Sequence, residues 1–189
     1  KRGKNVELYE YDLDRIILRG DGGAILIGEQ YYIKTVTSSY TDVNGTFRNR
    51  SITYYYYNDI IAINISPSGE IEWAEKIRKE QTTSSDGGFY SSYAMAVVKN
   101  KLYFIFNDNP KNIDRRGNDR VYTYYGGRES LVVLVTMNAK GEQKREPLFS
   151  TAESEVIIRP KVSKQVARNK MILFGQKRKN QRFAQLTFK

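Results

Sequence analysis

Cysteine and histidine are both absent from this 189-residue sequence. Without them the chain has no disulfide framework, none of the usual side-chain ligands for zinc, copper or non-haem iron, and no Ser–His or Cys–His nucleophile pair. No run of apolar residues approaches the roughly 20 that a membrane-spanning helix needs. The sequence therefore predicts neither a metal nor a cofactor, and it excludes much familiar enzymology.

Proline is scarce as well, with 4 residues against 14 glycines and 15 tyrosines. The apolar runs are short and rich in Val, Ile, Tyr and Phe, a composition typical of β-strands. No long stretch of the chain carries the helical period of apolar residues. These features predict an all-β protein.

The formal net charge of +10 is concentrated at one end of the chain. Residues 157–189 hold ten basic and no acidic side chains, whereas residues 1–156 hold 21 of each sign. A uniformly basic surface would favour capture of nucleic acid or anionic lipid. A basic C-terminus on a neutral body instead indicates one edge that meets an acidic partner, and it argues against nucleic acid.

Two short segments of the sequence recur. Residues 100–106 (NKLYFIF) resemble 169–175 (NKMILFG), and residues 22–28 (GGAILIG) fit the same position in the pattern. Residues 63–70 (INISPSGE) likewise match 135–142 (VTMNAKGE). This self-similarity is the most specific signal in the chain, because a repeat at a fixed period marks a repeated architecture.

Each repeat is predicted to contain up to four antiparallel strands, a to d, joined by tight turns. The predicted ranges are 13–19, 93–99 and 162–168 for strand a; 24–33, 102–107 and 171–176 for strand b; 60–66, 131–138 and 183–188 for strand c; and 70–77 and 142–149 for strand d. The corresponding units are a leftover strand of an upstream blade at 1–12 and blade-like repeats at 13–78, 92–149 and 159–189, the last one incomplete, within one domain overall.

A repeated four-stranded antiparallel meander is the building unit of a β-propeller. The repeats here are longer than the usual blade of about 40–50 residues, and the surplus lies between strands b and c. About three blades are present, and since propellers contain about four to eight, we expect the chain to be the C-terminal part of a larger propeller. A β-sandwich made by duplication is the alternative.

Residues 21–32 (DGGAILIGEQYY), 54–61 (YYYYNDII) and 102–112 (LYFIFNDNPKN) resemble a family of uncharacterised exported β-propeller-like proteins of Bacteroidetes bacteria. The resemblance covers most of the chain and is clearest over residues 13–112. It implies a longer precursor with a signal peptide and an extracytoplasmic location, in the periplasm or at the cell surface. It implies no activity and supplies no catalytic residues.

The long connections on one side of the predicted sheets form the candidate binding region, because loops on a rigid scaffold carry most binding sites. The b–c insertions span 34–58, 108–130 and 177–182, and the d–a connections at 79–92 and 150–158 join them. Tyrosine and basic residues concentrate there. The candidate binding residues are Tyr55, Tyr57, Tyr122, Tyr124, Tyr125, Arg120, Arg128, Lys177, Arg178, Lys179 and Arg182.

Residues 54–57 are four consecutive tyrosines, whose rings must alternate between the two faces of a strand. One interpretation is a stacking platform for sugars, bases or peptide side chains. The other is a long hairpin in which these rings pair across strands with Tyr31, Tyr32 or Tyr40. The sequence favours the hairpin, while the recurrence of tyrosine at 122–125 supports the platform.

The leading functional hypothesis is a non-enzymatic exported module that binds a protein or a glycan through these loops, as a subunit of a cell-envelope complex. An upstream part of the same protein, or another chain, would close its fold. The alternative is a carboxylate-dependent, glycan-acting hydrolase completed by missing blades. Its acids would be Asp12 and Asp14, or Glu70 and Glu72, since strand alternation places each pair on one side.

Overall fold

Three antiparallel sheets make up the protein in the computed structural model, which describes residues 9–115, 119–127 and 129–188. Sheet 1 contains β1 (Tyr11–Leu18), β2 (Ala24–Thr41), β3 (Phe47–Ile65), β4 (Ile71–Ile77) and β5 (Gln81–Ser84). Sheet 2 contains β6 (Ala94–Val98), β7 (Lys101–Asp108), β8 (Leu131–Met137) and β9 (Gln143–Ser150). Sheet 3 contains β10 (Ile157–Ile158), β11 (Lys164–Ala167), β12 (Lys170–Lys177) and β13 (Asn180–Thr187).

Over residues 9–115, 119–127 and 129–188, helical structure is limited to short pieces between the strands. One α-helical turn, α1 (Thr151–Ser154), separates sheets 2 and 3, and two 3-10 turns lie at Pro110–Asn112 and Pro160–Val162. Ser150 caps α1 through a reciprocal hydrogen-bonding pair with Glu153. Among the described residues, no helix is long and apolar enough to cross a membrane.

Sheets 1 and 2 each contain a meander of four strands that pair in chain order, β1-β2-β3-β4 and β6-β7-β8-β9, and β5 pairs with β3 off this path. The turns that precede β4 and β9 have the same hydrogen bonds, from Gly69 N to Ser66 O and from Gly141 N to Asn138 O, both at 3.0 Å. The recurrence of this turn explains why residues 63–70 and 135–142 match. The all-β prediction and the predicted a–d strand order of the first two repeats are confirmed.

The sheets stack in series, with sheet 2 in the middle. One face of sheet 2 packs on sheet 1 around Ile27, Ile60 and Phe104, which have no exposed surface. The opposite face packs on sheet 3 around Ile105 and Leu173. The nearly unbroken apolar runs of β6, β7 and β8 follow from this burial on both faces. No sheet is closed, and a stack of three sheets differs from the two sheets of the alternative β-sandwich.

The second face of sheet 1 is uncovered by any other described part of the chain. Leu13, Ile16, Leu18 and Ile71 lie on it with 58 to 81 % of their surface exposed. In the register, Ile16 pairs with Leu26 and Leu18 with Ala24, so these side chains continue one apolar face across the sheet. An apolar patch of this kind is typical of a surface that another protein segment covers.

Several predicted boundaries need correction. Residues 34–58, predicted as a loop insertion, are mostly strand, because β2 and β3 continue outward as one long hairpin with a turn at 42–46. Tyr11 and Asp12, assigned to a leftover upstream strand, belong to β1; residues 1–8 of that strand lie outside the described residues. The predicted basic loop at 177–182 is a tight turn between β12 and β13.

Candidate functional site

The tyrosine tract lies at the base of the long β2–β3 hairpin, where its rings pair across the strands. Tyr57 pairs with Tyr31 and Tyr56 with Tyr32 in the register. The Tyr32 and Tyr56 rings are stacked, with centroids 4.4 Å apart. Cross-strand aromatic pairs stabilise a hairpin by roughly 0.2–1 kcal/mol each relative to alanine. The tyrosine tract therefore lies in a long hairpin with rings paired across the strands, which is the interpretation that the sequence favoured.

Alternation divides the tract between the two faces of β3. Tyr54 and Tyr56 lie on one face together with Tyr32, whereas Tyr55 and Tyr57 lie on the other. The tyrosines of the first face are half-buried. The second face turns toward the body of the protein, where Tyr57 is only 6 % exposed.

Strand β5 joins the hairpin to the second insertion. It pairs with β3 on one side, from Tyr54 to Tyr57. On its other side it meets residues 123–125 through hydrogen bonds from Thr82 N to Tyr124 O (2.9 Å) and from Tyr124 N to Glu80 O (2.8 Å). The two tyrosine-rich insertions, which lie far apart in sequence, thus form one continuous sheet.

This arrangement creates a partly exposed aromatic face that we call the tyrosine surface, made of Tyr32, Tyr54, Tyr56 and Tyr125. Thr123 donates a hydrogen bond to Glu80 (2.7 Å). This bond places the side chain of Thr123, and by alternation that of Tyr125, on the face of the sheet that carries Glu80. Tyr125 is 73 % exposed. The tyrosine surface therefore extends from β2 to the second insertion.

Two further candidate residues lie beside the tyrosine surface. The Tyr122 ring is 40 % exposed. The Lys111 ammonium lies 5.4 Å from its centroid, and the Arg120 guanidinium carbon lies 5.9 Å from it. Both distances are within cation–π range, so the two cations and the Tyr122 ring form a basic, aromatic patch next to Tyr125.

The other candidate binding residues occupy different places. Tyr124 is 2 % exposed, because the strand-like pairing with β5 turns its ring inward; it packs rather than offering a face to a ligand. Tyr55 is half-buried on the second face of β3. Arg128 lies outside the described residues.

The four basic candidates near the C-terminus form a separate group in sheet 3, at Lys177, Arg178, Lys179 and Arg182. Arg178 and Lys179 are the two turn residues of the β12–β13 hairpin. Arg182 forms an ion pair with Glu155 just after α1. This group belongs to a different sheet from the tyrosines.

A polar cavity of about 520 Å³ opens beside the hairpin base, and we call it the polar pocket. Sheet 1 contributes Asp12, Asp14 and Glu29, and sheet 2 contributes Tyr93. Lys161 enters from the 3-10 turn before β11 of sheet 3. The pocket therefore lies where β1 and β2 of sheet 1 approach the segments that precede β6 and β11.

Two β-bulges shape the sheet 1 wall of the pocket. The β1–β2 register shifts between Leu13 and Arg15, which leaves Asp14 as an extra residue. The β2–β3 register shifts between Glu29 and Tyr31. A bulge re-aims side chains and breaks the regular alternation of a strand. Asp12 and Asp14 line the same pocket across such a bulge.

A buried ion pair forms the floor of the polar pocket. Lys79 Nζ lies 2.6 Å from Glu29 Oε1, and the two side chains are 0 % and 5 % exposed. The Lys79 ammonium also donates to Tyr57 O (2.8 Å) and to Gln81 Oε1 (3.2 Å). Burial lowers the pKa of Lys79, and the Glu29 carboxylate opposes that shift. Ser92 donates to the second Glu29 oxygen at 2.6 Å.

The open side of the polar pocket carries further ionisable groups. Tyr93 donates its hydroxyl to Asp14 Oδ2 at 2.6 Å. Burial raises the pKa of the Asp14 carboxyl, and the Tyr93 hydrogen bond opposes that shift. Lys161 Nζ lies 4.2 Å from the centroid of the Tyr57 ring and donates to its hydroxyl. Burial lowers the pKa of Lys161.

The sequence identified part of this pocket without locating it. Asp12 and Asp14 were named as an acid pair, and Tyr57 as a binding residue. Lys79 and Lys161 were missed as site residues, because a lysine in a predicted connection is most often solvated. Glu29 carried a weak signal, as a charge inside the apolar run of strand b.

Comparison with known proteins adds no identity. No protein-family model, no curated protein and no solved structure matches the chain.

Proposed function

We propose that this protein is part of an exported β-propeller and acts as a non-enzymatic module that binds a protein partner through the tyrosine surface. The observation that carries the proposal is the pairing of β5 with both insertions. This pairing brings Tyr54 and Tyr56 onto one sheet face with Tyr125. Tyrosine is among the residues that dominate binding energy at protein interfaces.

The shape of the tyrosine surface favours a protein over a glycan as its ligand. It is an open sheet face that spans β2, β3, β5 and residues 123–125, rather than a concave pocket. Lys111 and Arg120 flank it beside the exposed Tyr122 ring. Charges at the edge of an interface set the rate of association and the choice of partner, so we propose a partner with acidic residues at its edge.

The propeller part of the proposal rests on the serial stacking of two complete meanders and a shorter third sheet. Each sheet face that meets another sheet is buried, and the second face of sheet 1 is apolar as well. In the proposed ring, a further blade from the same polypeptide or from another chain covers that face. The periplasm or cell surface is the proposed location, as the sequence resemblance implies.

The test of the binding proposal is a double substitution, Tyr54→Ser with Tyr125→Ser, in a bait protein for affinity capture from cell-envelope extract. The matched control is Phe183→Ser, which removes an equally exposed ring from sheet 3. We expect the double variant to lose the proteins that the wild type retains, while the control keeps them. Equal retention by the double variant, with an unchanged circular dichroism spectrum, would rule out the tyrosine surface.

A second candidate function is a carboxylate-dependent hydrolase that acts on glycans. The specific observation in its favour is the gathering of Asp12, Asp14 and Glu29 around the polar pocket. A carboxyl with a raised pKa, such as Asp14, suits a proton donor. Turnover of a panel of nitrophenyl glycosides that is abolished by Asp14→Asn and retained by Glu70→Gln would establish this function in place of simple binding.

A further inference from the structure

We propose that the polar pocket binds the end of a neutral glycan, as a mono- or disaccharide unit, at a site separate from the tyrosine surface. The proposal goes beyond the proposed protein-binding function and does not depend on it. Its basis is a concave cavity with paired donors and acceptors, a balanced charge and a rigid floor.

The size and position of the cavity suit a small ligand. Its volume of about 520 Å³ lies within the roughly 300–1,000 Å³ of small-molecule sites. Residues from three parts of the chain converge on it, with Asp12 on β1, Tyr93 just before β6 and Lys161 in the 3-10 turn before β11. A pocket between packed elements is a common place for a ligand site.

The polar groups of the pocket match the hydroxyls of a sugar. A hydroxyl both donates and accepts, so it can bridge a carboxylate and an ammonium. Asp14 accepts the Tyr93 hydrogen bond on one oxygen, and its carboxylate has a second oxygen that can accept. Lys161 has three N–H donors, of which one reaches the Tyr57 hydroxyl. Asp12 makes no hydrogen bond or ion pair within the described part of the chain.

The charge balance of the pocket selects a neutral ligand. Glu29 and Lys79 neutralise each other in the floor. The remaining charges on the walls are the carboxylates of Asp12 and Asp14 and the cations of Arg15 and Lys161. Two charges of each sign give these walls no net charge, so they favour neither an anion nor a cation overall, and pairs of opposite sign suit neighbouring hydroxyls.

Apolar walls complete the fit. Tyr31 and Met95 line the cavity beside the polar groups. The Tyr31 ring packs against Tyr57, with centroids 4.5 Å apart, which fixes its orientation. An aromatic ring held in this way offers a flat surface for the C–H face of a sugar. The buried Glu29–Lys79 pair holds the floor in place, so little ordering is needed when the ligand binds.

The test uses the purified chain on a glycan array that carries neutral hexose, uronic acid and phosphorylated termini, followed by calorimetry with the strongest neutral oligosaccharide. Asp12→Asn and Lys161→Gln are the test variants, because both side chains line the pocket and neither belongs to the buried core. Glu70→Gln, an exposed acid at the opposite turn, is the matched control. We expect each test variant to lose at least about tenfold in affinity, which corresponds to roughly 1.4 kcal/mol, and the control to lose nothing.

Two results would overturn the proposal. One is the absence of binding to any neutral terminus, or binding to acidic termini alone. The other is neutral-glycan binding that Asp12→Asn and Lys161→Gln both leave unchanged. The double variant Tyr54→Ser with Tyr125→Ser is measured in the same glycan assay and should keep its glycan affinity. The proposal for the polar pocket and the proposal for the tyrosine surface can therefore fail independently.

Discussion

Replacing Lys79 by methionine tests whether the ion pair beneath the polar pocket holds the hairpin base together. Lys79 follows β4 and reaches into the protein with no exposed side-chain surface. Its ammonium meets three acceptors, on Glu29, Tyr57 and Gln81. Methionine keeps the apolar stem and therefore removes the charge and its hydrogen bonds with little change in packing.

The expected cost follows from what the substitution leaves behind. Glu29 would be a carboxylate at 5 % exposure with Ser92 as its remaining hydrogen-bond donor. Removing one partner of a buried ion pair costs about 3–5 kcal/mol. This is a large part of the roughly 5–15 kcal/mol by which domains are stable. Adding Glu29→Gln removes the stranded charge, so the double variant should regain most of the lost stability.

The assay is urea unfolding at neutral pH, followed by the fluorescence of Trp73, the single tryptophan of the chain. Wild type, Lys79→Met, Glu29→Gln and the double variant form a thermodynamic cycle. A free energy of unfolding for Lys79→Met within about 0.5 kcal/mol of the wild type, which is the range of surface substitutions with little effect, would refute the reasoning. So would a double variant no more stable than the single one.

Three further predictions concern the same region. Gly88→Ala should lower the free energy of unfolding by at least about 1–3 kcal/mol, because a Cβ at φ +67° would lie 2.3 Å from the Tyr57 ring. An unchanged midpoint of thermal unfolding would contradict this prediction. The pKa of Asp14 is raised in the folded state, so its contribution to stability is present below the unfolded pKa of 3.8 and is lost as pH rises through the folded pKa. In urea titrations, the free energy of unfolding of Asp14→Asn should therefore rise relative to that of the wild type across this pH range. A difference in free energy that stays constant with pH would contradict the prediction. Replacing residues 36–52 by Asn-Gly should change the urea midpoint by less than the equivalent of about 1 kcal/mol, because this outer hairpin is almost entirely exposed; loss of cooperative unfolding would contradict it.

The strands that the sequence predicted best are those with a local apolar signal. Residues 102–107 and 131–138 combine β-branched and aromatic residues with turn residues at both ends, and they became β7 and β8. The predicted strand ranges stopped short of the outer hairpin, which only the interpretation of the tyrosine tract anticipated, because TVTSSYT and FRNRSIT contain few apolar residues. Their strand character comes from β-branched threonines and from pairing with each other, for example between the hydroxyls of Thr35 and Thr53 (3.1 Å).

The candidate sites were less accessible to sequence reasoning because both depend on long-range contacts. The polar pocket brings Asp12 to Lys161 across most of the chain, and the bulge at Asp14 leaves no mark in the pattern of residues. The tyrosine surface required β5, whose sequence QTTS is too short and too polar to predict a strand. The tyrosines themselves were visible, but which of them face solvent was decided by register.

The uncovered apolar face of sheet 1 also governs how the chain behaves at the bench. Salts such as ammonium sulfate strengthen contacts between apolar surfaces that water would otherwise wet. The chain on its own should therefore precipitate at low salt saturation and remain bound to a phenyl column. Leu18 is the most exposed apolar residue of this face, at 81 %. The variant Leu18→Lys places a charge there and should elute from the column earlier than the wild type. A surface with no reactive group thus sets the conditions under which the two proposed binding sites can be tested.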